Sequence, residues 1–373
     1  MTRLSRRDLM KAGALALAAP AVLRAHDALA SSGSLAVHAW SDYFDKNTLL
    51  ADFTNATGIN VTLTTYGSNE QAEAGLRANG GKGADIIFPS VDTGPNYYRD
   101  NLLRPIDEAK FKAEVVPSFT KSSLELGAAD RGRRHLVPLV WGTEGLSWDS
   151  SRFDKKSGEI SYGDMWLAAN PKQTALRPTS IFNGMALYLD ATGAVKSNRG
   201  LDLYKSEAES RAVFDGVLNF ILAHKASIGA LWNSSAQATA AFATGGCTIG
   251  QTPDTTGILL GIKADPKWRY GMPKEGGLGT MDGFGIPSGA ANVEQAYAFA
   301  NFLYQEDVAA RFANTTHRNS CAKGAENYMS AQDRAAFDAA YPPGIIDNLF
   351  WLPAQTEIYA KLRAEYAGKL TSG

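Results

Sequence analysis

The residues of this chain best suited to chemistry are acids set beside aromatic rings. Trp40, Tyr43, Trp141 and Trp148 stand near Asp42, Asp92, Glu144, Asp254 and Asp282 in the sequence. A ring face attracts a cation through its quadrupole, and a carboxylate accepts charge-assisted hydrogen bonds from one. Any one of these acids could instead cap a helix, and any one ring could pack a core. Their grouping at expected strand ends is what favours binding, because pockets form there. Asp282 lies within "KEGGLGTMDGFGIP", residues 274–287, where five of fourteen residues are glycine. This is not a phosphate loop, since it lacks the Gly-Lys-Ser/Thr ending and the helix start. Its glycines are expected to let the backbone turn tightly beside a cleft and bring Asp282 to a ligand ammonium.

Other chemistries find less support. The histidines are His26, His38, His135, His224 and His317, and no two have a zinc-ligand spacing, so no metal or cofactor is expected. No Gly-x-Ser-x-Gly elbow occurs. Cys321 follows His317 by four residues, a nucleophile–base spacing on a helix, but "HRNSCAKG" reads as a loop. Tyr97-Tyr98 would need further ligands to hold ferric iron, and one ring packed with the other on the surface explains them more simply. Cys247 and Cys321 could form one disulfide in an oxidising compartment or remain two buried thiols, and their spacing does not decide between these.

The elements that must position these groups follow a β-α-β-α-β rhythm at the start. "SLAVHAW" is a short strand and "NTLLADFTNATG" a helix with Leu49, Leu50 and Phe53 on one face, stopped by Gly58. "INVTLTTY" alternates as a strand, "NEQAEAGLRANGG" is helical, and "ADIIFPS" is a strand ended by Pro89. This order argues for a parallel sheet with crossover helices. It places Trp40-Ser41-Asp42-Tyr43, Ser68-Asn69 and Ser90-Val91-Asp92 beyond the carboxyl ends of strands. Further on, "RHLVPLVWGTEGLSWD" reads as a strand crossing between lobes, and "CTIGQTPD" as a strand ending in a turn. "VEQAYAFANFLYQEDVAARFANTT" is a long amphipathic helical region, and the end of the chain is also helical.

The first thirty residues read differently. Arg6-Arg7 flanked by Ser5, Leu9 and Lys11, an apolar run from Ala12 to Val22, and Ala28-Leu29-Ala30 form a twin-arginine signal peptide, residues 1–30. Beyond it, 32 basic and 36 acidic residues leave a formal charge of −4, with no long basic run. Nucleic acid is therefore excluded as an expected partner.

The stretches "WSDYF…LLADFTNATGINVTLTTYGSNE…ADIIFPS", "LVPLVWGTEGLSWD" and "MPKEGGLGTMDGFGIP" together resemble the periplasmic polyamine-binding proteins, the spermidine/putrescine receptors of ABC importers. The resemblance runs over nearly the whole chain after residue 30. It implies a type II periplasmic binding fold: two α/β lobes, each a mostly parallel sheet flanked by helices, with the ligand cleft at the hinge. It also implies closure around the ligand and presentation to a membrane permease. The family's Trp-Ser/Thr-acid-Tyr stretch falls on Trp40, Ser41, Asp42 and Tyr43, its Pro-Ser on Pro89-Ser90, and its ammonium-gripping acid on Asp282.

There are departures too. Asp92 stands where an aromatic is usual, and Thr280 where an aromatic would precede the acid. "RPTSIFNGMAL" carries Arg177, Pro178 and Ile181 where spermidine receptors have an acidic pair. A family tryptophan is replaced within Gln251 to Asp254, while Asp92 and Glu144 are gained. Arg177, if turned inward, would oppose a diamine and favour a ligand bearing an anionic group.

The expected protein is thus a soluble, monomeric periplasmic receptor that does no chemistry. It would bind a small cationic, polyamine-like solute through Trp40, Ser41, Asp42, Tyr43, Ser90, Asp92, Glu144, Asp254 and Asp282. Lobe 1 is expected to comprise 31–140 and about 283–317, and lobe 2 about 141–282 and about 318–373. The alternatives are a receptor for another solute (an amino-acid derivative, an organophosphonate or ferric iron) or an enzyme with a cysteine nucleophile.

Overall fold

The structure, a computed structural model, describes residues 33–44, 47–167 and 171–372. The leader expected at residues 1–30 lies outside them. The opening rhythm forms as read. Strands β1 (Gly33–Trp40), β2 (Ile59–Tyr66) and β3 (Ile86–Ile87) make a parallel sheet in the order β2-β1-β3. The helix Leu49–Thr57 buries Leu49 and Phe53 and stops at Gly58, whose φ of 75° few side chains would accept. The helix Asn69–Ala78 starts at Ser68, whose hydroxyl accepts the Gln71 amide.

A small hairpin, β4 (Ala129–Asp130) and β5 (Arg133–Arg134), precedes the longest strand, β6 (Val137–Asp149). All thirteen residues of β6 are buried except Gly142, which is half-buried. The second sheet adds β7 (Thr174–Leu176), β8 (Ile228–Leu231), β9 (Ile249–Pro253), β10 (Trp268–Gly271), β11 (Leu278–Phe284), β12 (Asn319–Ser320) and β13 (Phe350–Trp351). Its order is β13-β11-β6-β9-β7-β8, with β10 and β12 also paired to β6. Strands β8, β7 and β9 run parallel with helices between them, while β9, β10, β11 and β12 all pair antiparallel to β6.

There are two α/β lobes, each with its own core. One is built from Leu35, Phe53, Phe88, Val137, Phe284 and Phe299 among others. The other is built from Leu146, Trp148, Phe182, Phe214, Ile249 and Tyr366 among others. Strands β6 and β11 contribute to both, so they carry the chain across.

Two local readings differ from the sequence expectation. Half of the glycine-rich run is the strand β11 rather than a loop. Gly276 turns at φ 116°, but Gly279 packs flat beneath Trp351, whose ring would lie 2.7 Å from an added Cβ. The expected long helical region is two helices, Val293–Leu303 and Glu306–Thr316. No glycine or proline marks the break. It comes from packing: Tyr304 turns into the core against Phe111 and Phe284, and its hydroxyl donates to the Pro138 carbonyl. Cys247 and Cys321 are free thiols buried in separate clusters. Among the described residues no helix is long and apolar enough to cross a membrane.

Candidate functional site

A cavity of 720 Å³ opens between the lobes, with residues 140–144 of β6 along its wall. Asp282 faces it from β11, paired across from Val140. Directly after Asp282 the partner on β6 jumps from Val140 to Pro138, leaving Leu139 out of register. Pro138 cannot donate to a ladder, which suits the break. The freed Leu139 carbonyl accepts the Cys321 amide at 2.9 Å.

Two hydroxyls from distant parts of the chain fix the Asp282 carboxylate. Tyr43 donates to Oδ2 at 2.7 Å and Ser90 to Oδ1 at 2.7 Å. Tyr43 follows the end of β1 in a tight turn, its amide bonded to the Trp40 carbonyl. Ser90 follows β3 and is held by its amide on Asn69 Oδ1 at 3.0 Å. Burial first, then the charge of Asp282, push the Tyr43 phenol well above its ordinary pKa, so it remains a donor.

Above Tyr43 lies a basic residue, outside the acids and aromatics that the sequence singles out. The Arg318 guanidinium sits 5.1 Å from the Tyr43 ring centre and donates to Asp42 Oδ2 at 2.9 Å. Burial works against its charge, but Tyr43, Asp282 and Asp42 outweigh it and drive its pKa upward. Tyr43 has no exposed surface and lies under this cation. The signal available in the sequence was the single arginine of "HRNS" just past a helix end, a position read only for its neighbouring His and Cys.

The far end of the cavity wall holds a second acid–arginine pair. Glu144 Oε2 accepts from Arg177 at 2.8 Å, and Ser180 donates to its other oxygen. The Arg177 guanidinium lies 5.3 Å from the Trp232 ring centre, and its buried Nε has no acceptor among the described residues. Asp254, first residue of the helix after β9, is buried and receives the Thr143 and Thr255 amides, the Tyr341 hydroxyl and the Asn319 amide at 2.7 to 3.1 Å. Burial lifts its carboxyl to about 6 despite these donors. Lys263 also lines the cavity, with no ion pair among the described residues.

The structure thus gathers Asp42, Glu144, Asp254 and Asp282 on one cavity, with Tyr43 and Ser90 directly behind Asp282. Trp40, Ser41 and Asp92 do not line it. Trp40 turns onto the Tyr66 ring, centroids 5.0 Å apart, leaving its indole N–H buried without an acceptor among the described residues. Ser41 is exposed and spends its amide on the Tyr66 carbonyl. Asp92 turns toward the segment before the last helix and accepts Gln355 Nε2 at 2.8 Å, with burial raising its carboxyl to about 6. Thr280 lines the cavity from β11 without adding a ring. Cys321 is wholly buried, and burial pushes its thiol well above the ordinary value; Cys247 is pushed to about 11 for the same reason. Neither is placed as an activated nucleophile. His317 ends a helix at φ 54° and Asn319–Ser320 is extended, so "HRNSCAKG" is not helical, as its sequence reads, and the one-turn approach of His317 to Cys321 does not form.

Comparison with known proteins adds to this geometry. The profile of the bacterial extracellular solute-binding protein family matches residues 48–339. The spermidine/putrescine-binding periplasmic protein of Escherichia coli (strain K12) is 26% identical over 319 residues, 83% of this chain and 82% of that one. The putrescine-binding periplasmic protein PotF of the same organism is 25% identical over 386 residues, covering all of both chains. The crystal structure of PotD from Streptococcus pneumoniae, a spermidine/putrescine ABC transporter substrate-binding protein, is similar at a TM-score of 0.73. It is 21% identical and the match covers 91% of this chain and 99% of that one.

Proposed function

The chain belongs to the bacterial extracellular solute-binding proteins and has the two-lobed type II periplasmic binding fold, and we propose that it is the periplasmic receptor of an ABC importer for a polyamine or a related small amine. Asp282 carries this reading. It faces the interlobe cavity, is oriented by two hydroxyls, and makes no ion pair among the described residues. It therefore keeps lone pairs for a ligand ammonium. Closure of the lobes would exclude water from that contact and present the liganded form to the permease.

The same reading takes the mature protein to be a soluble monomer, exported by its twin-arginine leader, that binds solute without transforming it. The buried, unactivated thiols support the last point. The lobes are proposed as 31–140 with about 283–317, and about 141–282 with about 318–373. Packing of Ala322 and Ala325 in the first core favours moving the last crossing beyond them.

A thermal-shift screen of amines tests the function. A specific amine at a hundred times its Kd should add about 2.7 kcal/mol of stability. Asp282→Asn should weaken that amine by about 2–5 kcal/mol, the usual cost of truncating one partner of a buried charge pair. Calorimetric titration reads the loss, and unchanged affinity would remove Asp282 from the site.

A further inference from the structure

We propose that the solute carries a carboxylate as well as an amine, so that this receptor selects amino-carboxylates over simple diamines and polyamines. The proposal rests on the amine reading above and narrows it.

The charges on the cavity wall are the reason. Asp42, Glu144, Asp254 and Asp282 face Arg177, Lys263 and Arg318. Three of the acids are already engaged: Asp42 by Arg318, Glu144 by Arg177 and Ser180, and Asp254 by two backbone amides, an amide side chain and a phenol. A carboxylate has about four lone-pair sites. Asp282 uses two of them on hydroxyls, so it alone combines spare acceptor capacity with the absence of an ion pair among the described residues. The wall therefore has room for one ammonium. A second would have to displace an arginine from its acid and would then leave that arginine uncompensated beside it.

The cations have the opposite surplus. A guanidinium has five N–H donors, in a fork that fits a carboxylate. Arg177 gives one to Glu144, and among the described residues the others have no acceptor. The helix Ser235–Ala243 begins on the same wall, with Ser235 and Ala236 lining the cavity, so its positive end adds to the same sign. Lys263 adds a third unspent positive group.

The spacing matches a single molecule. Asp282 pairs with Val140, and Glu144, which holds Arg177, lies four residues along the same strand. Four residues of extended chain span about 13 Å, and a ligand bridging them gives up about 2.9 Å to a hydrogen bond at either end. Gly142 lies between them and leaves the floor without a side chain. An ammonium on Asp282 and a carboxylate on Arg177 would be joined by a short aliphatic stem.

Matched pairs that differ by one carboxylate test this directly: ornithine against putrescine, lysine against cadaverine, arginine against agmatine. Each is titrated calorimetrically into the purified protein. The carboxylated member of at least one pair should bind tenfold or more tightly than its amine. Arg177→Gln, checked for an unchanged fold by circular dichroism, should erase that preference. Arg318→Gln should raise diamine affinity, because it strips the cation from Asp42 and uncovers Tyr43. An arginine that served only to hold the fold would lower affinity for every probe. Amines binding as tightly as their carboxylated partners would overturn the inference and leave the amine reading standing. Binding by no member of any pair would overturn the inference, and the amine reading would fall with it only if the wider thermal-shift screen of amines were also silent. A preference that survives Arg177→Gln would overturn the assignment of the carboxylate to Arg177.

Discussion

Asp92 shows how little a residue's type says about its direction. Its place after a strand end makes it a candidate ligand contact, yet it accepts Gln355 from near the far end of the chain. Burial lifts its carboxyl from 3.8 to about 6, so the folded state holds its proton more tightly than the unfolded state does. Its contribution to stability is then greatest below about pH 4 and declines as pH rises toward 6. Asp92→Asn keeps an acceptor for Gln355 and should flatten that part of the profile of melting temperature against pH. An unchanged slope between pH 4 and 6 would show that the group titrates normally. The grouping of Asp282 with Tyr43 and Ser90 was legible because acids and aromatics near strand ends have a stated use and Ser90 falls on the family-like Pro-Ser. Arg318 was not, because nothing local to "HRNS" indicates that it meets Asp42, 276 residues earlier. Long-range pairing of charged residues leaves no periodic trace in a sequence.

Among the elements, the strands near the start were readable because their alternation and stops are local. Gly58 ends a helix and Ser68 begins one by rules that need no partner. The split between Val293–Leu303 and Glu306–Thr316 was not readable, since the burial of Tyr304 overrides helix propensity there. Strand β11 departs from its sequence expectation for a similar reason. Its glycines looked like turn residues, whereas Gly279 is small because Trp351 lies on it. Gly279→Ala should cost about 1–3 kcal/mol by overpacking, read as a lower midpoint in urea. Adding Trp351→Leu to the same chain should recover part of that loss. If the alanine variant is as stable as the parent, the contact is not a constraint.

At the scale of the whole molecule, the two-lobed architecture was legible from the opening βαβ rhythm, the crossing strand and the order of family-like motifs. The ionic balance of the cleft was not, because it depends on which arginines turn inward. The hinge has a mechanical consequence of its own. Strand β6 runs from one core to the other without a loop, paired along much of its length to β11. Such a ribbon has no slack, so the lobes approach by twisting it while its ladder stays intact. Amide hydrogen exchange in the middle of β6 should therefore be equally slow with and without solute, even where the cleft around it becomes protected. Faster exchange there in the free protein would mean that the ribbon melts to let the lobes part. On the proposed function, rotation about this ribbon would give a permease a difference of shape by which to tell a filled receptor from an empty one.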